Sequence, residues 1–364
     1  MSLFKSKEQK ELGREPSVNR QCELTWPNRS IPRIPLRNLY KRTSLQLCSK
    51  VMRLFMLCIV SILLIVGCAP RSETPVIVRI GYEAILSDYA FFVAKEQGYF
   101  EEEGLEIQVV QFNTTNEQTL ALMAGKVDMI PNSSLALLLA ADIEQPGRFR
   151  VFMAHGDLGN KVLVKADSPV TSVKELSGAT VGTFPGTTML TYARLSLAPY
   201  FEDVDPPILV GMAPPSLIEA LATEQVDAIF PIEPIATIAL NKGVAREILN
   251  NPLGNIMTPF TGGASALRTD FVKENPEAAA AVVRAMNRAV DFIRENDKES
   301  RAILAQYTGF PAEVLQSAYL GYIWKLEEIN YEAVQSLADI LFEAEVVEQR
   351  VNTNEWYYLS LIHI

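Results

Sequence analysis

Hydroxyl, amide and carboxylate side chains gather in five short loops of this sequence. The first, Tyr82-Glu-Ala-Ile-Leu-Ser-Asp88, follows a β-branched run. Phe112-Asn113-Thr-Thr-Asn116 and Asn132-Ser133-Ser134 each lead into a helical stretch, as does Pro185-Gly186-Thr187-Thr188. Ile232-Glu233-Pro234 follows a short apolar run. Hydroxyls and free N–H groups at a helix start can hold an anion or a carbonyl. Gly186 allows close backbone approach, and Thr187 and Thr188 can both cap the helix and donate. Tyr82, an aromatic at a strand end, can stack on a planar ligand. Asp88 closes the same loop and is the candidate N-cap of the next helix. Glu233 can accept from a donor or a positive group, which argues against a bare anion such as nitrate. His155, in Met153-Ala-His-Gly156, can donate to a ligand. Each has an ordinary structural role as well: core packing for Tyr82, N-capping for the serines, a surface carboxylate beside a turn proline for Glu233, a satisfied imidazole for His155.

These residue types suit reversible binding. No G-x-S-x-G elbow, P-loop or HExxH is present. The cysteines are Cys22, Cys48, Cys58 and Cys68, so the chain beyond residue 68 has no disulfide, thiolate metal site or cysteine nucleophile. The two histidines, His155 and His363, exclude a multi-His metal site. No metal and no cofactor is expected.

The 364 residues are enough for two ordinary domains and are 48% hydrophobic. Charge is unevenly spread. Residues 1–51 carry 11 Lys/Arg against 4 Asp/Glu, whereas residues 68–364 carry 21 against 39. The acidic part is a poor nucleic-acid binder, because phosphate contacts need clustered basic residues. Between them lies LFMLCIVSILLIV, Leu54–Val66, thirteen residues. A bilayer core needs roughly 20 helical residues, so this run fits a signal-peptide h-region with Lys50 and Arg53 as its positive flank. Ile65-Val66-Gly67-Cys68 resembles a bacterial lipobox, which implies acylation of Cys68. Starting at Met52 gives an ordinary lipoprotein signal over 52–67. Residues 1–51 then read as a non-native or disordered basic leader, and 68–75 as a tether. The tail 359–364, LSLIHI, can be encoded by a transposon-end adapter and reads as an artefact.

The loops must be positioned by alternating strands and helices. VIVRIGY, Val76–Tyr82, reads as a buried strand, and a helix runs from Asp88 to Gly98. A strand over 106–112, a helix over 117–124 and a strand over 129–131 follow. The rhythm restarts with a strand at 179–184, a helix at 189–197, a strand at 208–211, a helix at 216–223 and a strand at 228–230. LALMAGKVDMI and LIEALATEQVDAI share one local logic of helix, Val-Asp turn and strand. The pattern predicts βαβ units, a mostly parallel sheet and two similar α/β lobes. Beyond residue 264 the spacing predicts helices only, at 275–295, 298–307, 311–326 and 331–345.

RIGYEAILSDYAFFVAKEQGYFEEEGLEIQVVQF, ALMAGKVDMIPNSS, VLVKADSPVTSVKELSGATVGTFPGTT and ALATEQVDAIFPIEP, in this order and spacing, resemble the solute-binding lipoproteins of bacterial ABC importers. The branch is the nitrate/sulfonate/taurine/thiamine-pyrimidine type of the type II periplasmic binding proteins. That resemblance implies an α/β fold of two lobes with two crossovers, near 155–162 and 253–263. It places 76–158 plus 260–300 in lobe one, 163–255 in lobe two, and C-terminal helices over 301–358. It implies a small organic solute, sulfonate-, pyrimidine- or amine-like, held between the lobes. It further implies an ABC permease as partner, a monomer, and a lipid-anchored extracytoplasmic location. The ligand contacts would come from Tyr82, Asp88, Asn113, Asn132, Ser133, Ser134, His155, Gly186, Thr187, Thr188 and Glu233. Relatives often carry an aromatic where Ile232 stands. A lipid-anchored sensor presenting solute to a receptor is the alternative. Enzymes of this fold, the thiamine-pyrimidine and hydroxymethylbilane-type synthases, use cysteines that this domain lacks.

Overall fold

The computed structural model describes residues 75–157 and 159–357, and for Thr187 the backbone alone. The expected leader, signal segment, lipobox Cys68 and terminal tail 359–364 lie outside the described residues.

The chain opens with β1 (Val76–Tyr82), α1 (Tyr89–Glu96), α2 (Tyr99–Glu102), β2 (Leu105–Gln111), α3 (Thr115–Met123), β3 (Met129–Ser134), α4 (Leu135–Glu144) and β4 (Phe149–Gly156). It continues with β5 (Lys161–Lys165), β6 (Thr180–Thr183), α5 (Thr187–Leu197), β7 (Ile208–Gly211), α6 (Pro214–Ala222), β8 (Ala228–Phe230), α7 (Ile235–Asn241) and β9 (Ala245–Asn250). It closes with β10 (Gly263–Arg268), α8 (Thr269–Glu274), α9 (Pro276–Glu295), α10 (Asp297–Thr308), α11 (Ala312–Ser317), β11 (Tyr322–Lys325) and α12 (Tyr331–Glu343).

The strands form two sheets, β11-β4-β10-β3-β1-β2 and β7-β6-β8-β5-β9. Parallel βαβ pairing builds one side of each, β2-β1-β3 in one and β7-β6-β8 in the other, while β10 and β5 enter antiparallel. The chain leaves the first sheet after Gly156 and joins the second at Lys161; it leaves after Asn250 and returns at Gly263. Two passages join the sheets, so both present their strand ends to the same joint.

Sequence explains the packing. Alternation in β1 buries Val78 and Ile80 completely. In α9, Pro276 starts the helix, and Ala279, Val282, Val283, Met286, Ala289 and Val290 form a buried stripe at 3–4 residue spacing. That stripe seats α9 against α1. Tyr89 on α1 donates to Ser300 Oγ on α10 at 2.6 Å, and Phe92 stacks on Tyr307 at 4.6 Å. The second sheet carries a separate cluster of Leu163, Leu217, Leu221, Ile229 and Ala236 on one face.

The two Val-Asp turns do the same job in each sheet. Asp128 N–H donates to Arg79 O, and Asp128 Oδ2 accepts from Arg79 N–H at 3.1 Å. Asp227 N–H donates to Thr180 O, and Asp227 Oδ2 accepts from Thr180 N–H at 2.8 Å. Both carboxylates therefore pin the strand beside them at the edge away from the joint.

The expectation of helices alone beyond 264 is corrected. Gly263-Ala-Ser-Ala-Leu-Arg268 is a strand between β3 and β4, where small residues fit under crowded neighbours. The predicted 311–326 helix stops at Ser317, and Tyr322-Ile-Trp-Lys325 pairs with β4. Gly321, past the helix end, makes the turn into this strand with φ +73°, and a Cβ there would lie 2.6 Å from Asp157 O.

Candidate functional site

The C-terminal ends of β1, β3 and β4, and the N-terminal end of β11, share one edge of the first sheet. The C-terminal ends of β6 and β8, and the start of β5, share one edge of the second. A cavity of about 50 Å³ lies between these edges. Leu86, Ser87, His155 and Asp157 reach it from one side, Ile232 and Glu233 from the other, and Tyr319 and Tyr322 close it from the C-terminal segment. A larger hollow of about 410 Å³ beside Arg194, Phe201 and Pro207 is formed by residues 194–209 alone.

Two carboxyls and an imidazole supply most of the cavity's acceptors, and Ser87, Tyr319 and Tyr322 add hydroxyls. Ser265 Oγ donates to Pro131 O at 2.5 Å, so it accepts from His155 Nε2–H at 2.7 Å. Nδ1 is then the imidazole atom left to accept. Burial pushes His155 down to about 4, so the ring is neutral. Glu233 is buried, and its Oε2 accepts from Thr237 N–H at 3.1 Å. Burial raises its carboxyl, while hydrogen bonds from Thr237 and the Tyr319 backbone, and the Lys161 charge, pull the other way. Asp157 Oδ2 accepts from the Tyr319 hydroxyl at 2.9 Å. The Tyr319 and Tyr322 rings meet edge to face at 6.1 Å, and Tyr322 stacks on Trp324 at 5.6 Å.

Two further acids stand in the loop after β1. Asp88 is fully buried; its Oδ2 accepts from Glu83 N–H at 2.7 Å, and its Oδ1 has no protein partner. Burial pushes it well above the usual carboxylate range. Burial also raises Glu83, against a 2.6 Å hydrogen bond from Thr115 Oγ1. Asn160, in the first passage between the sheets, is fully buried, and neither amide atom has a partner among the described residues.

The sequence candidates divide. His155 and Glu233 line the cavity, and Asp88 adjoins its wall at Ser87. Asp88 stands at the N-cap of α1 but makes no side-chain cap, because its carboxylate turns back to Glu83. The ring of Tyr82 packs on Phe91 and Phe92, and its hydroxyl donates to Gln111, so its place is with the helices rather than on the cavity wall. Asn113 is exposed, its N–H donating to Glu117. Asn132, Ser133 and Ser134 lead into α4 as expected, but as the last residues of β3 rather than as a loop; Ser133 Oγ bonds Thr119 Oγ1 at 2.7 Å, and Ser134 caps α4. Asn132 is buried, close to Gly263. Gly186 is the exposed N-cap of α5 at φ +103°, followed by Thr187 and half-buried Thr188. Glu83, Asp157, Tyr319 and Tyr322 were not singled out in the sequence. Gly321 amid Tyr319-Leu-Gly-Tyr-Ile-Trp324 is the signal that marks a turn into a strand there.

The family profile described as NMT1/THI5 like matches residues 88–300, more than half of the chain. The chain belongs to this family. A Bacillus subtilis (strain 168) protein, named as an aliphatic sulfonates-binding protein, is 23% identical over 290 residues, 76% of this chain and 84% of its own. The periplasmic aliphatic sulphonate binding protein SsuA from Escherichia coli superposes with TM-score 0.65 at 21% identity, covering 78% of this chain and 92% of that one. The periplasmic nitrate-binding protein NrtA from Synechocystis PCC 6803 does so with TM-score 0.58 at 16% identity, covering 80% and 88%. The fold is thus the two-lobed periplasmic-binding-protein architecture, and the relatives named here are binding proteins rather than enzymes.

Proposed function

We propose that this protein is an extracytoplasmic solute-binding protein that captures a small organic solute between its lobes and delivers it to an ABC importer. The observation that carries the reading is the cavity at the joint, walled by side chains from both sheets. Lobe one, residues 76–158 and 260–300, and lobe two, 163–255, close on the solute by rotation about the two passages. Asp88, Asn132, Ser133, His155 and Glu233 serve the solute, with the Gly186-Thr187-Thr188 loop approaching from lobe two. The closed monomer docks on the permease, and acylated Cys68 keeps it at the membrane.

The test is a thermal-shift screen of the full chain against sulfonates, pyrimidines, amines and nitrate. At least one class should raise the melting temperature in a saturable way. No shift with any of them contradicts the reading. The anchor is tested apart: Cys68→Ser should move the protein from the membrane fraction to the soluble one. Unchanged partitioning sinks the lipid assignment alone.

A further inference from the structure

We propose that the cleft takes a small organic cation, its ammonium or amidinium group held between the carboxylates of Asp157 and Glu233 and the rings of Tyr319 and Tyr322. The inference rests on the solute-binding reading and names the class of solute.

Charge at the joint is one-sided. Glu83, Asp88, Asp157 and Glu233 all stand there, and among the described residues none of them forms an ion pair. Among the described residues no lysine or arginine lines the cavity. Lys161 is near, but its ammonium is held by Glu247 at 2.8 Å and Asn250 at 2.7 Å. Buried carboxylates without a counter-charge are costly, and proteins pair them or leave them for a ligand. Asp88 Oδ1 and both amide atoms of Asn160 are fully buried and have no partner among the described residues. Asn160 follows Gly159, where a Cβ would lie 2.6 Å from Glu233 Cγ and 3.1 Å from Tyr319 Cδ1. Asp88 likewise follows Ser87 of the cavity wall, so these unpartnered atoms belong to residues that adjoin the joint where the unpaired acids stand.

The rest of the wall agrees. Neutral His155, with its Nε2–H engaged, offers an acceptor and no charge. Tyr319 and Tyr322 meet edge to face, at 79° to one another; a ring face left free by that contact and by the Tyr322–Trp324 stack can attract a cation. A sulfonate or nitrate brings only acceptor oxygens and would meet like charge. An ammonium brings donors and the missing charge, and it lets the raised carboxyls ionise.

Calorimetric titration of the full chain at pH 7 decides it. The cations are choline, 1,4-diaminobutane and agmatine; the controls are 3,3-dimethylbutan-1-ol, methanesulfonate, nitrate and 4-aminopyrimidine. At least one cation should bind, with the neutral choline isostere far weaker. Glu233→Gln and Asp157→Asn should each weaken it about tenfold or more. Affinity should fall as pH is lowered and the raised carboxyls of Glu233, Glu83 and Asp88 take up protons; the groups facing them are Lys161, Thr237, Tyr319, His155, Thr115 and Glu117. Binding of methanesulfonate or a neutral solute with no cation bound overturns this inference and leaves the solute-binding reading standing. Binding of nothing in the panel overturns both. Folded variants that keep full affinity for the cation also overturn it, and if a variant does not fold, the isostere comparison still decides.

Discussion

The Tyr319 hydroxyl donates to Asp157 Oδ2 at 2.9 Å and thereby ties the C-terminal segment to the first passage between the lobes. Gly321, two residues on, lies against the carbonyls of Gly156 and Asp157. Removing the hydroxyl in Tyr319→Phe should cost about 1 kcal/mol in urea unfolding. Gly321→Ala should cost more, because a left-handed backbone alone is worth about 1–2 kcal/mol per residue and the new Cβ meets Asp157 O at 2.6 Å. Equal losses in the two variants would contradict this account of the segment.

His155 gives stability a definite pH window. Its folded value of about 4 lies below the ordinary 6.5, so the unfolded chain binds the proton first as pH falls. The stabilisation is complete above 6.5 and is lost on going down towards 4. Relative to His155→Gln, the wild type should lose about 2 kcal/mol between pH 7 and pH 5. Parallel stability curves for the two proteins would show that the ring is not buried neutral.

Glu233 acts with the opposite sign. Burial raises its folded value, so the folded chain holds the proton to higher pH than the unfolded one. Its ionisation at neutral pH therefore weakens the ligand-free fold. Glu233→Gln should be more stable than the wild type at pH 7, with the gain shrinking as pH falls through the raised value. Chemical denaturation across pH reads this directly, and a variant less stable at pH 7 would contradict it.

The paired aspartates should differ in cost despite their common role. Asp128 is almost fully buried and also accepts from Arg79 Nε at 2.8 Å and from an Arg268 guanidinium nitrogen at 2.9 Å. Asp128→Ala leaves the Arg79 guanidinium unpaired and Arg268 with Asp270 alone, and should cost about 2–3 kcal/mol. Asp227 is exposed and holds only the Thr180 amide, so Asp227→Ala should cost about 0.5–1 kcal/mol. The reverse order in denaturant unfolding would be decisive against this reading.

Much of the fold was legible because local pattern and tertiary role agree. VIVRIGY forms a strand over the expected 76–82, and Ile208–Gly211 does likewise. The repeated Val-Asp turn signalled two similar sheets, and its aspartates make the same pair of backbone contacts to the neighbouring strand. The strand β10 was hidden because its Gly, Ala and Ser residues carry no β-branched signal; its position between β3 and β4 calls for small side chains. The strand β11 was hidden behind helical spacing that only the pairing with β4 and the turn at Gly321 override. At the cavity, Glu233 and His155 were visible as polar residues at loop positions. Asp157, Tyr319 and Tyr322 were not, since their convergence depends on contact between residues some 160 positions apart.

Trp324 offers the most direct test of the binding cavity. It stacks on Tyr322 at the cavity wall, whereas Trp356 is buried against Phe149. Fluorescence titration of the full chain with organic cations, pyrimidines, sulfonates and nitrate should give a saturable change with at least one solute. That change should be lost in Trp324→Phe and shifted to higher solute concentration in Glu233→Gln. A flat response to every solute, or a response untouched by both substitutions, would contradict a solute site between the lobes.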